Sequence, residues 1–230
     1  MKTLGLIGGT GPESTIEYYR LLTAQYREKV DGHSPHVIIN SVDLKLMITW
    51  MTAGELDKVT DYLVGEFEKL QKAGADFAAL TANTPHIVFD ELKQRCTLPL
   101  ISIVEAACER VQELGLKTVG LFGTRYTMEA PFYPAVFSRT DVKLIMPSKQ
   151  EQAFIHDKYF SELLKDVFLP ETRTSLLAIA GEMKARDGIE GLILGGTELP
   201  LLLRDEEYNG IRLLDTTRIH VDRLIEEMLN

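Results

Sequence analysis

Cysteine is scarce in this chain, since Cys96 and Cys108 are the only two in 230 residues. Neither thiol lies in a CxxC pair or at a spacing from histidine that is typical of a metal site, and two thiols make no disulfide framework. The sequence therefore predicts no metal site. Because proteins with few cysteines and no disulfide framework are typical of reducing compartments, we expect a cytoplasmic location.

Long apolar runs and an excess of positive charge are lacking as well. No stretch reaches the roughly 18 apolar residues of a membrane-spanning helix, and the first residues enter a strand pattern without the layout of a signal peptide. The 34 acidic and 25 basic residues give a net charge of −9. This dispersed negative charge argues against nucleic acid as a partner, and no membrane partner is expected.

Short apolar runs alternate with amphipathic segments, which is the pattern of a parallel α/β sheet. We predict strands at Thr3–Ile7, Val37–Val42, Phe77–Thr81, Leu100–Ile103, Thr118–Phe122, Val142–Met146, Gly191–Leu194 and Arg212–Leu214. The clearest predicted helix is Leu56–Ala73, because its apolar residues recur every three or four positions. A second helix is predicted from Pro12. Its apolar face is expected to carry Ile16, Tyr19, Leu22 and Tyr26.

Small loops recur at matching points in the two halves of the chain. Four strands are followed by Gly8-Gly9-Thr10, Ala82-Asn83-Thr84, Gly123-Thr124 and Gly195-Gly196-Thr197. Thr10 and Thr84 are 74 residues apart, and Thr124 and Thr197 are 73 residues apart. Loops at the carboxyl ends of parallel strands are where open α/β sheets bind small ligands. The repetition therefore indicates a duplicated α/β unit that holds a ligand.

From this repetition we predict an α/β fold of two pseudo-symmetric lobes, each a parallel sheet flanked by helices, with the site between the lobes. The first lobe is expected to comprise residues 1–97 and 210–230, and the second residues 98–209. In this scheme the last strand, near Leu213, returns to the first lobe.

The loop at Gly8–Gly11 differs from the common nucleotide-binding motifs. It is not GxGxxG, and it lacks the Gly-Lys-Ser/Thr ending of a P-loop. Its glycines permit free N–H groups that bind an anion at the start of a helix, while an ordinary strand-to-helix turn explains the same residues. Because three further loops match it in position, we favour a binding role.

Polar donors follow the other strands. Asparagine and threonine side chains donate to a carboxylate without adding net charge. The predicted substrate-binding residues are Thr10, Asp43, Asn83, Thr84, Thr124, Thr127, Thr197 and Glu198. Alternatives stay open at several of them: a threonine after a strand also caps a helix, Asp43 also suits a turn, and Glu198 either caps the next turn or pairs with a substrate ammonium.

Two histidines are candidates for acid–base chemistry. His86 and His220 lie nearest to predicted loop ends, and imidazole titrates close to neutral pH. A single histidine without a partner pattern is more often a buried structural residue, and that alternative stands for both.

Together these segments resemble the aspartate/glutamate racemase family, whose superfamily includes glutamate racemase, hydantoin racemase, maleate isomerase and arylmalonate decarboxylase. The matching stretches are 5–10, 12–15, 18–19, 41–43, 82–86, 123–128, 132–133, 195–198, 215–216 and 219–220. The resemblance implies two pseudo-symmetric α/β lobes, no pyridoxal phosphate, no metal, no other cofactor and a homodimer. It also implies a small carboxylate or amino-acid ligand, with aspartate and glutamate as the leading candidates.

Members of this family use two cysteines on opposite faces of the substrate Cα. The matching positions are Ala82, just before Asn-Thr, and Gly196, just before Thr-Glu, so both cysteines are substituted. Alanine and glycine have no titratable group, and each lost acid or base typically costs roughly 10²–10⁴-fold in rate. We therefore expect two-base racemisation to be impaired or absent, whereas the donors that bind a carboxylate are retained.

Three functions compete on this basis. The first is a cofactor-independent amino-acid racemase-type protein whose two-base chemistry is disabled. The second is a lyase or isomerase of a small carboxylate that uses other residues, such as His86, Glu198 or Asp43. The third is a non-catalytic binder of a small amino acid or dicarboxylate. Retained donors with missing acid–base groups favour the first and the third.

Overall fold

A computed structural model describes residues 1–230, with the side chain of Pro12 left aside. The chain divides into two compact units. Unit 1 comprises Met1–Ile103 and His220–Asn230, and unit 2 comprises Val104–Ile219. Both boundaries differ from the predicted ones: residues 98–103 belong to unit 1, and residues 210–219 belong to unit 2.

Unit 1 contains a four-stranded parallel sheet in the order β2-β1-β3-β4. Its strands are β1 (Leu4–Gly8), β2 (Val37–Ser41), β3 (Phe77–Leu80) and β4 (Leu100–Ile101). Its helices are α1 (Pro12–Lys29), α2 (Leu44–Thr52), α3 (Leu56–Lys72) and α4 (Phe89–Arg95), with a 3₁₀ helix at Thr84–Val88. The long β-α connections permit this parallel order.

The central strands of this sheet are buried on both faces. Because successive side chains of a strand point to opposite faces, alternate residues of β1 join different apolar clusters. Ile7 packs with residues of α3, whereas Leu4 and Leu6 pack with α1 and the end of the chain. Strands buried in this way read as continuous apolar runs, which is why the sequence predicts them well.

The buried face of α1 differs from the predicted one. Tyr18, Leu22 and Tyr26 are buried, whereas Ile16 is 58% and Tyr19 is 52% exposed. An α-helix has 3.6 residues per turn, so residues four apart, such as Tyr18, Leu22 and Tyr26, form one stripe along the helix. Ile16 lies nearly opposite that stripe. The prediction was therefore wrong for Ile16 and Tyr19.

Unit 2 contains a five-stranded sheet in the order β6-β5-β7-β9-β8. Its strands are β5 (Thr118–Gly123), β6 (Lys143–Ile145), β7 (Gly191–Gly195), β8 (Glu207–Tyr208) and β9 (Ile211–Asp215). Its helices include α5 (Ile103–Glu113), α6 (Arg125–Glu129), α7 (Phe132–Phe137), α8 (Lys149–Ser161), α9 (Pro170–Asp187), α10 (Leu199–Leu202) and the start of α11 (Thr216–Leu229).

The last strand belongs to unit 2, which corrects the prediction that it returns to the first lobe. Residues 191–194 of β7 pair in parallel with residues 212–215 of β9. Only the part of α11 from His220 onward belongs to unit 1. The short strand β8 pairs antiparallel with β9 through an Asn209-Gly210 turn in which both residues have positive φ, as two-residue hairpin turns require.

The apolar core of unit 2 lies under α8 and α9. Phe122 of β5 and Leu192 and Leu194 of β7 pack there with residues of both helices. A capping box at Ser148 and Glu151 begins α8, which satisfies otherwise unpaired N–H groups. Across the described residues, no helix is both long and apolar enough to cross a membrane.

Candidate functional site

The loop after β1 holds a buried hydroxyl that has no hydrogen-bond partner among the residues that the structure describes. Gly9 has φ +83°, and a β-carbon added there would lie 2.6 Å from the carbonyl oxygen of Val42, so only glycine fits. The N–H of Gly9 donates to Oγ1 of Thr15 at 2.9 Å. Oγ1 of Thr10 is buried and has no hydrogen-bond partner among the described residues. Since buried polar atoms are normally paired, Thr10 offers a donor to a ligand.

Three further hydroxyls tie this loop to the end of β3. Ser14 Oγ donates to the carbonyl oxygen of Thr81, and Thr81 Oγ1 donates to the carbonyl oxygen of Ile7 at 3.1 Å. Thr15 and Thr81 bring their hydroxyl oxygens within 3.4 Å. These bonds hold the ends of β1 and β3 and the start of α1 together. Ser14 and Thr15 were missed as site-forming residues, although their place in the first turn after a glycine loop was a usable signal.

The loop after β3 presents Ala82, Asn83 and Thr84. Ala82 and Asn83 are buried and Thr84 is half-buried. The carbonyl oxygen of Asn83 accepts a hydrogen bond from the N–H of His86 at 3.0 Å, which begins the 3₁₀ helix. The methyl group of Ala82 can pack against a ligand, but it cannot transfer a proton.

Both ring nitrogens of His86 are engaged within unit 1. Nδ1 donates to the carbonyl oxygen of Ala82 at 3.0 Å, and Nε2 accepts from the N–H of Ile103 at 3.3 Å. The ring stacks on Phe89 at a centroid distance of 4.7 Å. Burial lowers the pKa of His86 to about 4, so the ring is neutral at pH 7.

His220 uses the opposite tautomer. Its Nε2 donates to the carbonyl oxygen of Ile101 at 3.2 Å, and its Nδ1 accepts from the hydroxyl of Tyr18 at 2.7 Å. Burial lowers the pKa of His220 to about 3. In this arrangement each histidine links backbone or side-chain groups of unit 1 and keeps its proton on a fixed nitrogen.

Asp43 begins α2, where it acts as a helix cap. Its Oδ1 accepts from the N–H of Leu46 at 3.1 Å, and its own N–H donates to the hydroxyl of Tyr62 at 3.2 Å. The side chain is exposed. These contacts are those of the turn residue that the sequence left open as an alternative.

In unit 2, Thr124 and Thr127 lie directly after β5. Thr124 caps α6: its Oγ1 accepts from the N–H of Thr127 at 3.3 Å, and the two hydroxyl oxygens are 3.2 Å apart. A β-carbon added to Gly123 would lie 2.8 Å from Cβ of Thr127 and 2.9 Å from the carbonyl oxygen of Gly195. A glycine at 123 therefore allows the ends of β5 and β7 to approach Thr127.

The loop after β7 holds a tyrosine where the side chain of residue 196 would lie. A β-carbon added to Gly196 would be 2.6 Å from Cε2 and 2.9 Å from Cζ of Tyr159, and closer still to its hydroxyl oxygen. Real β-carbons are essentially never nearer than 3.0 Å to such atoms. A side chain at 196 is therefore incompatible with Tyr159 in this position.

Tyr159 and Glu198 form a buried pair beside that loop. The Tyr159 hydroxyl donates to Oε2 of Glu198, and Oγ1 of Thr197 donates to the same oxygen at 3.0 Å. The Glu198 side chain makes no cap bond to α10, so of the two predicted roles the cap is not the one seen. Burial, and then the charge of Glu198, hold the pKa of Tyr159 well above its ordinary value. The phenol thus carries its proton at neutral pH.

Tyr159 was missed at the sequence level. It lies within α8, 37 residues before Gly196, and its spacing in the helix is that of an ordinary core residue. A second residue without a predicted role is Thr217, at the start of α11 after β9. Its Oγ1 is buried and, like that of Thr10, lacks a hydrogen-bond partner in the described part of the chain.

The two thiols belong to helical segments and not to these loops. Cys108 is buried in α5, and Cys96 is half-buried at the end of α4. Burial raises the pKa of both thiols, which lowers the thiolate fraction. Among the described residues, no group of three or more histidine, cysteine, aspartate or glutamate side chains could hold a metal ion.

Comparison with known proteins defines the family. The profile of the Asp/Glu/Hydantoin racemase family matches residues 7–224, and the chain therefore belongs to this family. The fold prediction of an α/β protein with two largely parallel sheets flanked by helices is confirmed by its similarity to racemase structures.

Two solved structures and one curated relative are similar to this chain in sequence, and the two structures are similar to it in fold as well. A candidate Asp/Glu racemase from Yersinia pestis is 31% identical with a TM-score of 0.93, and an aspartate racemase homologue from Pyrococcus horikoshii OT3 is 32% identical with a TM-score of 0.86. Both matches cover 100% of both chains. The broad specificity amino-acid racemase RacX of Bacillus subtilis (strain 168) is 28% identical over 155 residues, which is 65% of this chain and 66% of RacX.

Proposed function

We propose that the protein binds a small amino acid, with aspartate and glutamate first among the candidates, and that it does not interconvert the enantiomers by two-base chemistry. The observation that carries this proposal is the filling of the Gly196 position by Tyr159. An acidic or basic side chain is absent at 196, and none fits there while Tyr159 stays in place. The names of the relatives support an amino-acid ligand.

The retained donors support binding. Hydroxyls and an amide follow the strands of each sheet at the carboxyl edge, where α/β sheets bind ligands. The proposed ligand-contacting residues are Thr10, Asn83, Thr84, Thr124, Thr127, Thr197 and Glu198. Among the described residues, the buried hydroxyls of Thr10, Thr23 and Thr217 have no hydrogen-bond partner. Those of Thr10 and Thr217 follow strand ends, and a ligand there would satisfy donors that otherwise cost free energy.

The lack of two acid–base groups supports the loss of racemisation. Ala82 and Gly196 have no side-chain group that could donate or accept a proton. We assign structural roles to His86 and His220, since all four of their ring nitrogens are hydrogen-bonded. The hydroxyl of Thr81 donates to a backbone carbonyl and is too weak a base unaided. A group that abstracts a Cα proton must lie within about 3 Å of it or act through one water.

Calorimetry and chiral chromatography test this proposal. Titration with L- and D-aspartate and L- and D-glutamate is expected to show binding of at least one of them, and no loss of enantiomeric purity after prolonged incubation. Rapid racemisation by the unaltered protein, or no binding of any of the four, would overturn the proposal.

Restoring the thiols is a sharper test, and the structure dictates its design. Ala82→Cys with Gly196→Cys is expected to fail because the new side chain at 196 meets Tyr159. Adding Tyr159→Leu removes the outer ring atoms and the hydroxyl while it keeps an apolar side chain in the core. The triple variant is therefore expected to gain racemase activity. A triple variant that folds and binds but never racemises would contradict the account of a disabled racemase.

Three further properties are proposals that rest on the resemblance: independence from pyridoxal phosphate, a homodimer and a cytoplasmic location. The absorbance spectrum of the purified protein tests the first, because bound pyridoxal phosphate absorbs beyond the protein's own bands. Sedimentation velocity tests the second, and fractionation of the source cells tests the third.

A further inference from the structure

The pair formed by Tyr159 and Glu198 is built as a hydrogen-bonded chain rather than as a simple core contact. Tyr159 is 3% and Glu198 is 6% exposed. Two hydroxyl donors, from Tyr159 and Thr197, converge on one carboxylate oxygen, Oε2. The hydrogen-bonded chain therefore runs from the phenol of Tyr159 to the carboxylate oxygen of Glu198 and on to the hydroxyl of Thr197. Thr197, at the far end, is half-buried.

Glu198 has no cation to balance its charge among the described residues. Each ion pair found among the described residues of unit 2 uses another carboxylate, and the side-chain donors to Glu198 found there are hydroxyls. Burying a carboxylate without a cation costs free energy. A structural role alone gives no reason for a charged residue here, since the side-chain carbonyl oxygen of a glutamine would accept the same hydroxyl bonds.

The phenol oxygen lies at the carboxyl edge of the sheet of unit 2. It fills the space that a side chain at Gly196 would take, directly after β7. The neighbouring strand β5 is followed by Thr124 and by Thr127 of α6. This is the edge at which α/β sheets hold ligands. The geometry thus puts an O–H group on the ligand side of unit 2 in place of a side chain at the strand end.

We propose that Tyr159 and Glu198 act as one proton relay that exchanges the Cα proton of the bound amino acid with solvent and retains its configuration. The inference rests on the proposed function, because the amino acid must bind at this edge. As the C–H bond breaks, Tyr159 Oη takes the proton and passes its own proton to Oε2 of Glu198. The electron pair left on Cα is delocalised into the ligand carboxylate as an enediolate.

The return step explains the stereochemistry. Glu198 gives its proton back through Tyr159, and the carbanion is reprotonated on the face from which the proton left. In D₂O the exchangeable protons of the relay are replaced by deuterons, so the ligand gains deuterium at Cα. Tyr159 takes the place of a side chain at Gly196, and Ala82, at the position of the other cysteine, carries no group that could protonate the opposite face. The configuration of the ligand is therefore kept.

Proton NMR in D₂O with chiral chromatography of the same samples tests the relay. With L-aspartate, L-glutamate and their D-enantiomers as probes, the Cα–H signal of a bound ligand is expected to decay while enantiomeric purity is kept. Tyr159→Phe and Glu198→Gln are each expected to slow this decay about 100-fold or more. The dissociation constant of each variant is measured by calorimetry, and the decay rates are compared at equal occupancy of the ligand site, which separates proton transfer from binding.

Tyr133→Phe is the matched control, since Tyr133 is a buried tyrosine of the same unit outside the relay. Its exchange rate is expected to equal that of the unaltered protein. Exchange with inversion, or exchange that survives in Tyr159→Phe, would overturn the relay. Binding without any exchange by the unaltered protein would also overturn it and leave the proposed function intact. No binding of any probe would overturn the proposed function, and the relay with it.

Discussion

The hydroxyl of Tyr18 in α1 donates a 2.7 Å hydrogen bond to Nδ1 of His220 in α11, and the two rings meet edge to face at a centroid distance of 5.7 Å. Because the other nitrogen of His220 donates to a backbone carbonyl, this bond requires the neutral ring. His86 is held in the same neutral state by a different pair of partners. Two histidines of unit 1 are thereby committed to one tautomer each.

This commitment predicts how stability depends on pH. The pKa values of His86 and His220 in the folded protein are about 4 and about 3, below the ordinary value of about 6.5. The unfolded chain therefore binds more protons as the pH falls below about 6.5. The folded state loses up to about 1.4 kcal/mol of stability per pH unit for each histidine, until the pH reaches about 4 for His86 and about 3 for His220.

Nitrogen-detected NMR of the histidine rings, with urea unfolding at several pH values, checks this prediction. The spectra are expected to show one Nδ1–H and one Nε2–H tautomer that do not titrate above pH 5. The exposed His33 is an internal control. Ring shifts of His86 or His220 that titrate near pH 6.5 would contradict the assignment.

The contact between Gly196 and Tyr159 predicts a strong dependence of one substitution on the other. Gly196→Ala is expected to lower the free energy of unfolding by about 1–3 kcal/mol, as overpacking does. In a Tyr159→Leu background the ring atoms that the new methyl group meets are gone, so the cost is expected to shrink by at least about 1 kcal/mol. Urea unfolding of the unaltered protein, the two single variants and the double variant gives the coupling free energy between residues 159 and 196. An equal loss of stability from Gly196→Ala in both backgrounds would show that the two residues do not compete for space.

Gly181 predicts the opposite response to the same change. It lies inside α9, and nothing is within 4 Å of a β-carbon added there. Gly181→Ala is therefore expected to stabilise the fold by about 0.5–1 kcal/mol. Gly188 at the end of the same helix has φ +71°, so Gly188→Ala is expected to destabilise by about 1 kcal/mol. Thermal unfolding of the two variants measures both effects. A destabilising Gly181→Ala would contradict the finding that there is space for a β-carbon at residue 181.

The thiols are predicted to react slowly and to be dispensable for ligand binding. Burial raises the pKa of Cys96 and Cys108, so alkylation by iodoacetamide near pH 8 is expected to be slower than that of a free thiol. Cys108, at 3% exposed, is expected to react last. Cys96→Ser is expected to leave the dissociation constant unchanged. Mass spectrometry measures the alkylation of each thiol over time, and rapid alkylation of Cys108 would contradict its burial.

Much of the fold could be predicted because it depends on local pattern. The predicted strand Gly191–Leu194 is observed as Gly191–Gly195, since strands buried on both faces are continuous apolar runs. The partner of a strand is not encoded in such a run. That is why the strand near Leu213 was assigned to the wrong unit, although its position along the chain was correct.

The candidate site was predictable only where it follows the chain. Loops such as Gly195-Gly196-Thr197 are recognisable by glycine after a strand, and the absence of a side chain at Gly196 is plain in the sequence. What fills that space is a side chain of α8, and only the packing of this helix against the sheet of unit 2 brings Tyr159 there. The exposed Ile16 and Tyr19 illustrate the converse, since apolar residues at helical spacing need not face the core.

Unit 1 is built from two separate stretches of chain, and this has a consequence for its biosynthesis. The N–H of Lys2 bonds to the carbonyl oxygen of Met228 at 3.1 Å, and one face of the sheet packs on Val221, Leu224, Ile225 and Met228. On the ribosome, every residue of unit 2 is made before this covering segment. Unit 2 can therefore fold first, whereas the strands of unit 1 keep one apolar face exposed until the end of the chain has been made. We expect chaperones to bind the N-terminal half of the nascent chain longest.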